Sequence, residues 1–183
     1  HHRYYHPLPP EEPQKMLRWV YGSRREAITA EKRNQQKGFI ITSNNFLIEK
    51  ALFEKVHFRE DLGPYGHEDT LLGYDLFKAG IIPLHIQSPV EHTGLEDAAT
   101  FLRKTRNALE NLRLIALKMK KNDKTFTQQV QFLKFYQKIT HWIPGVFLRT
   151  LFRLFKKKME KNLNGKKPSL LWFDLYKLGL FSE

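Results

Sequence analysis

Two adjacent carboxylates, Glu68 and Asp69, follow Gly66 and His67 and come directly before an apolar helical pattern. Backbone N–H groups at the start of a helix favour the ionised form of such side chains, and a preceding glycine lets a substrate approach the backbone. An ionised carboxylate at this position can accept a proton from an attacking hydroxyl group. Acidic residues in a first helical turn also serve simply as caps. The pair Glu96-Asp97 is interpreted only as a cap, and for Glu68-Asp69 both interpretations stay open.

His92 lies in a loop between Pro89 and Gly94, where it could give one nitrogen ligand to a metal otherwise held by oxygen atoms. The alternative is a structural or merely exposed histidine. The chain has no HExxH spacing, which argues against a metallopeptidase. It also has no Asp-x-Asp, no glycine-rich phosphate loop and no cysteine, and the last absence excludes a thiolate zinc site.

The elements around these residues alternate between strand and helix patterns. The short apolar runs 39–42, 46–48 and 81–86 predict strands. Apolar spacing predicts helices over 14–21, 50–56, 69–79 and 95–121, with Gly80 as the left-handed residue after the third of them. Strand, helix, strand, helix is typical of an α/β domain.

The charge of the chain is unevenly distributed. Residues 1–100 carry 12 Lys or Arg against 14 Asp or Glu, whereas residues 101–183 carry 19 against 5, a net charge of +14. A strongly basic segment indicates an anionic partner such as a membrane surface or a nucleic acid. The longest stretch without Asp, Glu, Lys or Arg, residues 79–90, is too short to cross a bilayer, which takes about 20 apolar residues. The first residue is not Met, so we expect the chain to begin partway through a longer protein.

From residue 122 onward the pattern predicts helices that are broken at Pro144-Gly145 and again over 162–168. Within 146–158, basic residues lie opposite an apolar face that comprises Phe147, Leu148, Leu151, Phe152 and Phe155. A basic amphipathic helix of this kind, with further aromatic residues around it, can lie flat in a lipid headgroup layer. The alternative is a helix that packs on the domain with its basic face in water.

Taken in order, four segments resemble the second half of bacterial family-2 glycosyltransferases, which are inverting enzymes of the GT-A fold. The match covers about residues 1–117. The matching segments are Ser43-Asn44-Asn45-Phe46-Leu47-Ile48, Leu52-Phe53-Glu54-Lys55-Val56, Tyr65-Gly66-His67-Glu68-Asp69-Thr70-Leu71-Leu72-Gly73-Tyr74 and Val90-Glu91-His92. The resemblance implies the C-terminal half of a Rossmann-like GT-A domain over 1–121, followed by a basic α-helical extension over 122–183.

The resemblance also implies roles for single residues. Asp69 would be the general base that deprotonates the acceptor hydroxyl, and Glu68 would contact the acceptor. His92 would help to hold a divalent Mg²⁺ or Mn²⁺ ion. The substrate-binding positions would be Asn44, Asn45, Tyr65, Gly66 and His67.

We therefore expect an enzyme of polysaccharide biosynthesis that transfers a sugar, with inversion, from a nucleotide-sugar to a glycan or lipid-linked acceptor. Its donor-binding half, which ends in Asp-x-Asp in this family, is absent from the chain. We expect a cytoplasmic protein that is peripheral on the inner face of the plasma membrane, which it contacts through residues 141–183. The alternative is a non-enzymatic basic module that binds nucleic acid through residues 101–183, although no nucleic-acid motif supports it.

Overall fold

The computed structural model describes residues 3–36, 39, 41–59, 66–123 and 125–183. Two strands form a small parallel pair, β1 (Arg3–Tyr4) and β2 (Val90–Glu91), with Arg3 opposite Val90. A 3-10 turn over Pro13–Lys15 leads into α1, and a π-type turn over Gly22–Glu26 follows it. The helices in chain order are α1 (Met16–Tyr21), α2 (Ala30–Gln35), α3 (Lys50–Phe53), α4 (Glu68–Lys78), α5 (Ala98–Asn122), α6 (Thr125–Gln129), α7 (Gln131–Trp142), α8 (Gly145–Leu163) and α9 (Leu170–Ser182).

The predicted α/β fold, with its half of a GT-A domain, is wrong for this chain. Throughout the described ranges the molecule is mainly helical, and its only sheet is the two-residue pair of β1 and β2. The described residues of the runs 39–42, 46–48 and 81–86 form no strand. Their β-branched and aromatic residues fit a pleated surface, but a strand forms only where a second backbone completes its hydrogen bonds.

Residues 81–86 show how the chain satisfies an extended segment without a neighbouring strand. The side-chain amide of Asn34 in α2 donates to the carbonyl oxygen of His85 at 2.8 Å and accepts from its backbone N–H at 2.9 Å. One amide side chain thus makes both hydrogen bonds that a neighbouring strand would offer. The flanking Ile82 and Leu84 remain 76% and 78% exposed.

Helix α5 lies at the centre of the molecule and confirms the predicted long helix. Leu102, Leu109, Leu112 and Met119 are buried on one face of α5, as their spacing predicts. Leu102 and Leu109 belong to one hydrophobic cluster, whereas Leu112 and Met119 belong to a second. The helix therefore joins the two parts of the core.

Helices α8 and α9 pack on each other and on the front of the chain. The breaks predicted at Pro144-Gly145 and over 162–168 are confirmed, because α8 begins at Gly145 and ends at Leu163. One cluster contains Leu17 of α1 together with Phe152 of α8 and Phe173 of α9. The first and the last helices thus share one core.

Within the described ranges, no helix combines the length and the apolar character that crossing a bilayer would take.

Candidate functional site

The predicted pair Glu68-Asp69 lies in the first turn of α4. Two consecutive residues in the left-handed region lead into this helix, Gly66 with φ 87° and His67 with φ 73°. Glycine adopts such a φ without strain, whereas it is uncommon for histidine. The backbone therefore reverses sharply just before the two carboxylates.

Contacts with α5 hold this turn in place. The side-chain Nδ2 of Asn111, which is buried, donates to the carbonyl oxygen of Gly66 at 2.7 Å. A Cβ atom on Gly66 would lie 3.0 Å from the Cβ of Ala108. Position 66 thus combines a left-handed φ with a close approach to α5, and both conditions favour glycine.

Asp69 is half-buried and lines a cavity of about 540 Å³ together with Thr42, Thr70 and Gln129. Burial raises the pKa of its carboxyl group, and the negative charge of Glu68 raises it further. The backbone N–H of Thr70, which donates to Asp69 Oδ1 at 2.8 Å, and the charge of Arg3 lower it by less. The expected stabilisation of the ionised form by helix N–H groups is present, but burial outweighs it. Asp69 forms no ion pair within the described part of the chain.

The two residues beside Asp69 face different surroundings. Glu68 is exposed, so it is open to a molecule that approaches from solvent. His67 is half-buried, its Nδ1 lies 3.3 Å from Thr70 Oγ1, and burial lowers the pKa of its imidazole. The imidazole is therefore neutral over a wider pH range than that of an exposed histidine.

Arg3 in β1 connects residues that lie far apart in the sequence. Its Nη2 donates to Asn44 Oδ1 at 2.9 Å. Burial raises the pKa of Asp69 and lowers that of His92, and the charge of Arg3 has a smaller, lowering effect on both. Arg3 thus contacts Asn44 directly and acts on Asp69 and His92 through its charge.

Asn45 belongs to a neighbouring cavity of about 340 Å³, and its Nδ2 donates to the carbonyl oxygen of Ser88 at 3.2 Å. Thr42 lines both this cavity and that of Asp69, so the two adjoin. The predicted substrate-binding residue Tyr65 lies outside the described residues.

His92 lines a third cavity, of about 460 Å³, together with His67 and Arg3. Its backbone N–H donates to the carbonyl oxygen of Tyr4 at 2.9 Å, and its ring meets that of Tyr5 edge-on. Burial lowers the pKa of His92, followed by the charges of Arg18 and Arg3. Asp69 lines the cavity of about 540 Å³ rather than this one.

A metal ion at His92 would need more ligands than these surroundings offer. Among the described residues, no group of three or more His, Asp or Glu side chains is arranged to hold a metal. Arg3 and Arg18 also place positive charge beside the imidazole, which opposes a second cation. These residues do not fit a metal by themselves, and the role of His92 as a metal ligand stays a prediction.

Sequence reasoning found no signal for Arg18 and Glu26, which line the third cavity. Arg18 is 4% exposed, donates from Nη2 to Glu26 Oε2 at 2.9 Å, and packs between the rings of Tyr5 and Phe101. A buried arginine needs such a partner. No periodicity or motif marks this pair, since Arg18 lies within α1 and Glu26 at the end of the π-type turn that follows it.

The cap interpretation of Asp97 is confirmed, because its side chain accepts from the backbone N–H of Thr100 at 2.6 Å. Glu96 instead forms an ion pair with Lys104. The two acidic pairs thus differ, because Asp69 lines a cavity whereas Asp97 is exposed.

In comparisons with protein-family models, curated proteins and solved structures, nothing matched this chain.

Proposed function

We propose that this chain is part of an inverting glycosyltransferase in which Asp69 is the general base. The observation that carries the proposal is a half-buried carboxylate that lines a cavity of about 540 Å³, has a raised pKa and has no ion-pair partner in the described residues. A raised pKa makes the ionised carboxylate a stronger proton acceptor. The proposal rests on the residues and does not need the α/β sheet.

The proposed reaction is a single displacement. The acceptor hydroxyl attacks the anomeric carbon of a nucleotide-sugar from the face opposite the diphosphate, and its proton passes to a carboxylate oxygen of Asp69. The bond between the anomeric carbon and the phosphate oxygen breaks, and the nucleoside diphosphate leaves with the electron pair. Because the attack comes from the opposite face, the anomeric configuration inverts.

The neighbours of Asp69 have supporting roles in this proposal. Glu68 is exposed and contacts the acceptor. Arg3 lies near Asp69 and favours the negative charge that develops on the leaving diphosphate. Asn44, which Arg3 holds by a hydrogen bond, and Asn45 line the sugar site. A divalent metal at the diphosphate would act as a Lewis acid, and its ligands stay outside this proposal.

The proposed acceptor is a glycan or a lipid-linked molecule, and the donor is a nucleotide-sugar. With a lipid-linked acceptor, transfer takes place at a membrane surface. We place the protein peripherally on the cytoplasmic, inner face of the plasma membrane, because residues 101–183 carry a net charge of +14.

The test is Asp69→Asn in the full-length gene product. Asparagine keeps the shape of the side chain but accepts no proton, so we expect transfer to fall about 10²- to 10⁴-fold. Binding of the nucleotide-sugar should stay unchanged. The assay follows release of nucleoside diphosphate from a panel of uridine and guanosine diphosphate sugars.

The matched control is Asp97→Asn, which changes the other aspartate at the start of a helix to an amide that also caps well. This variant should keep its full rate. Near-normal turnover of Asp69→Asn would contradict the proposal and would mean that Asp69 only caps the helix.

A further inference from the structure

The face that the sequence assigned to membrane contact is partly covered. Of its five apolar residues, Leu148 and Phe152 are 8% and 1% exposed, and Phe152 belongs to the cluster that contains Phe173 of α9. A Cβ atom on Gly179 of α9 would lie 2.3 Å from Phe152 Cγ, which shows how closely the two helices approach. These two residues of the predicted face are structural and cannot meet lipid.

A different face of α8 is open. Val146 and Leu154 are 63% and 73% exposed, and Phe147 beside them is 59% exposed. Lys157 and Lys161, which are also exposed, continue the stripe, because residues 146, 154, 157 and 161 recur at helical spacing. Trp142, the last residue of α7, is 79% exposed just before this stripe begins.

On the open face of α8, apolar residues predominate at the beginning and basic residues at the end. Val146 and Phe147 lie in its first turn and Leu154 at its middle, whereas the exposed Lys157, Lys158 and Lys161 lie in its second half. The whole helix carries six basic residues against one acidic residue; the basic ones are Arg149, Arg153, Lys156, Lys157, Lys158 and Lys161.

We propose that this open face of α8 docks on an anionic lipid surface. Trp142, Val146, Phe147 and Leu154 enter the region between headgroups and acyl chains, and the lysines after them contact the anionic headgroups. A lipid surface offers partners to both halves of the face, apolar and anionic. A nucleic acid would engage the lysines but would leave Val146 and Leu154 in water. The inference does not rest on Asp69 and stands or falls separately from the catalytic proposal.

Point changes are needed to test this surface. Deletion of residues 141–183 would remove Phe152 and Phe173 from the core and expose Leu17, so the remainder would not stay folded. Phe147→Gln with Leu154→Gln removes two of the four apolar side chains of this face and leaves the charge and the core unchanged. Leu114→Gln with Leu117→Gln is the matched control, since these residues are 62% and 58% exposed on another helix, α5.

The experiment is sedimentation of the chain with vesicles of phosphatidylcholine, alone or mixed with phosphatidylglycerol. We expect binding to the mixed vesicles only, and weaker binding as salt is added. The Phe147/Leu154 variant should lose binding and the Leu114/Leu117 variant should keep it. Replacing Lys157, Lys158 and Lys161 by Gln should weaken binding about fivefold per charge, the equivalent of about 1 kcal/mol each.

A second measurement follows insertion directly. When Trp19 and Trp172 are replaced by Phe, Trp142 is the only indole left, and its fluorescence should shift to the blue on addition of mixed vesicles. An unshifted spectrum would show that Trp142 stays in water and would overturn the insertion.

Other results would also overturn the proposal. These are no binding to mixed vesicles, equal binding to neutral vesicles, or full binding by the Phe147/Leu154 variant. The proposal would also fail if none of the proteins sedimented with vesicles and all of them except the lysine variant bound single-stranded RNA tightly. That result would make the basic surface a nucleic-acid site.

Discussion

Asp69 experiences opposing influences at the start of α4. Its position in the first helical turn and its hydrogen bond from Thr70 favour the charged form, whereas burial and Glu68 disfavour it more strongly. A carboxylate that served only as a cap would gain nothing from burial beside a second carboxylate. A carboxyl group whose pKa is shifted in this way by burial and by a neighbouring charge is typical of functional sites.

This balance predicts how Asp69 affects stability. A carboxyl group whose pKa is raised on folding stabilises the protein below its ordinary pKa of 3.8, and loses that contribution as the pH rises through the folded value. Ionisation of Asp69 therefore costs the folded protein stability. We expect Asp69→Asn to melt at a higher temperature than the wild type at neutral pH, with the difference disappearing in acid.

Thermal melts of both proteins at neutral and acid pH measure this effect. The matched control is Asp97→Asn, because the hydrogen bond from Thr100 lowers the pKa of Asp97. At neutral pH, Asp97→Asn should lower the melting temperature or leave it unchanged. A lower melting temperature for Asp69→Asn at neutral pH would mean that the hydrogen bond from Thr70 outweighs burial.

Sequence reasoning reached some of these residues and could not reach others. The Gly-His-Glu-Asp order predicted the start of a helix because caps and glycines act within a few residues of the chain. Arg3 and Arg18 were missed because their importance depends on contacts with Asn44, Glu26 and Glu96, which only the folded chain brings near.

At the scale of elements, the longer helices were predicted well and the strands were not. Helices α4, α5 and α8 complete their hydrogen bonds within one segment, so an apolar period of 3.6 residues is enough to indicate them. A strand at 81–86 would need a partner that its own sequence cannot reveal. In this fold the partner is one side chain, Asn34.

The packing of α8 on α9 leads to a further prediction. Gly179→Ala would place a methyl group against the Cβ and Cγ atoms of Phe152, at 2.4 and 2.3 Å, and these atoms are close to the backbone of α8 and cannot swing away. The two helices must separate, which we expect to destabilise the protein by about 1–3 kcal/mol.

Urea denaturation measures this loss as a lower midpoint. Gly94→Ala is the control, because nothing lies within 4 Å of an added Cβ at that position. It should leave the midpoint nearly unchanged. If Gly179→Ala were as stable as the wild type, α8 and α9 would not be as close as described.

At the scale of the molecule, the chain has a continuous core from its first helix to its last. The rings of Tyr21 of α1, Phe101 of α5 and Phe173 of α9 pack against one another, with centroids 5.2–5.4 Å apart. Sequence reasoning assigned residues 122–183 to a separate basic extension, because the charge and the aromatic residues there stand out. Which of those aromatics turn inward depends on the far end of the chain.

This shared core predicts one cooperative unfolding transition. Phe173→Ala removes a fully buried ring, which we expect to lower the free energy of unfolding by about 3–5 kcal/mol. The lower stability should appear equally at both ends of the chain. With Trp142 and Trp172 replaced by Phe, helix content and the fluorescence of Trp19 should therefore report the same midpoint. Leu171→Ala on the exposed side of α9, where the side chain is 70% exposed, should change little.

A lower midpoint for helix content than for Trp19 in the Phe173→Ala variant would contradict this view. It would mean that the tail unfolds on its own while the front of the chain remains folded.

The contact of α1 with α9 also matters while the protein is being made. Ribosomes deliver the chain from its N-terminal side at roughly 5–20 residues per second, so roughly 8–30 s separate the emergence of Tyr21 from that of Phe173. During that interval Leu17 and Tyr21 lack the residues of α9 that cover them in the finished core. Nascent chains that have not yet reached α9 therefore present an apolar surface to chaperones.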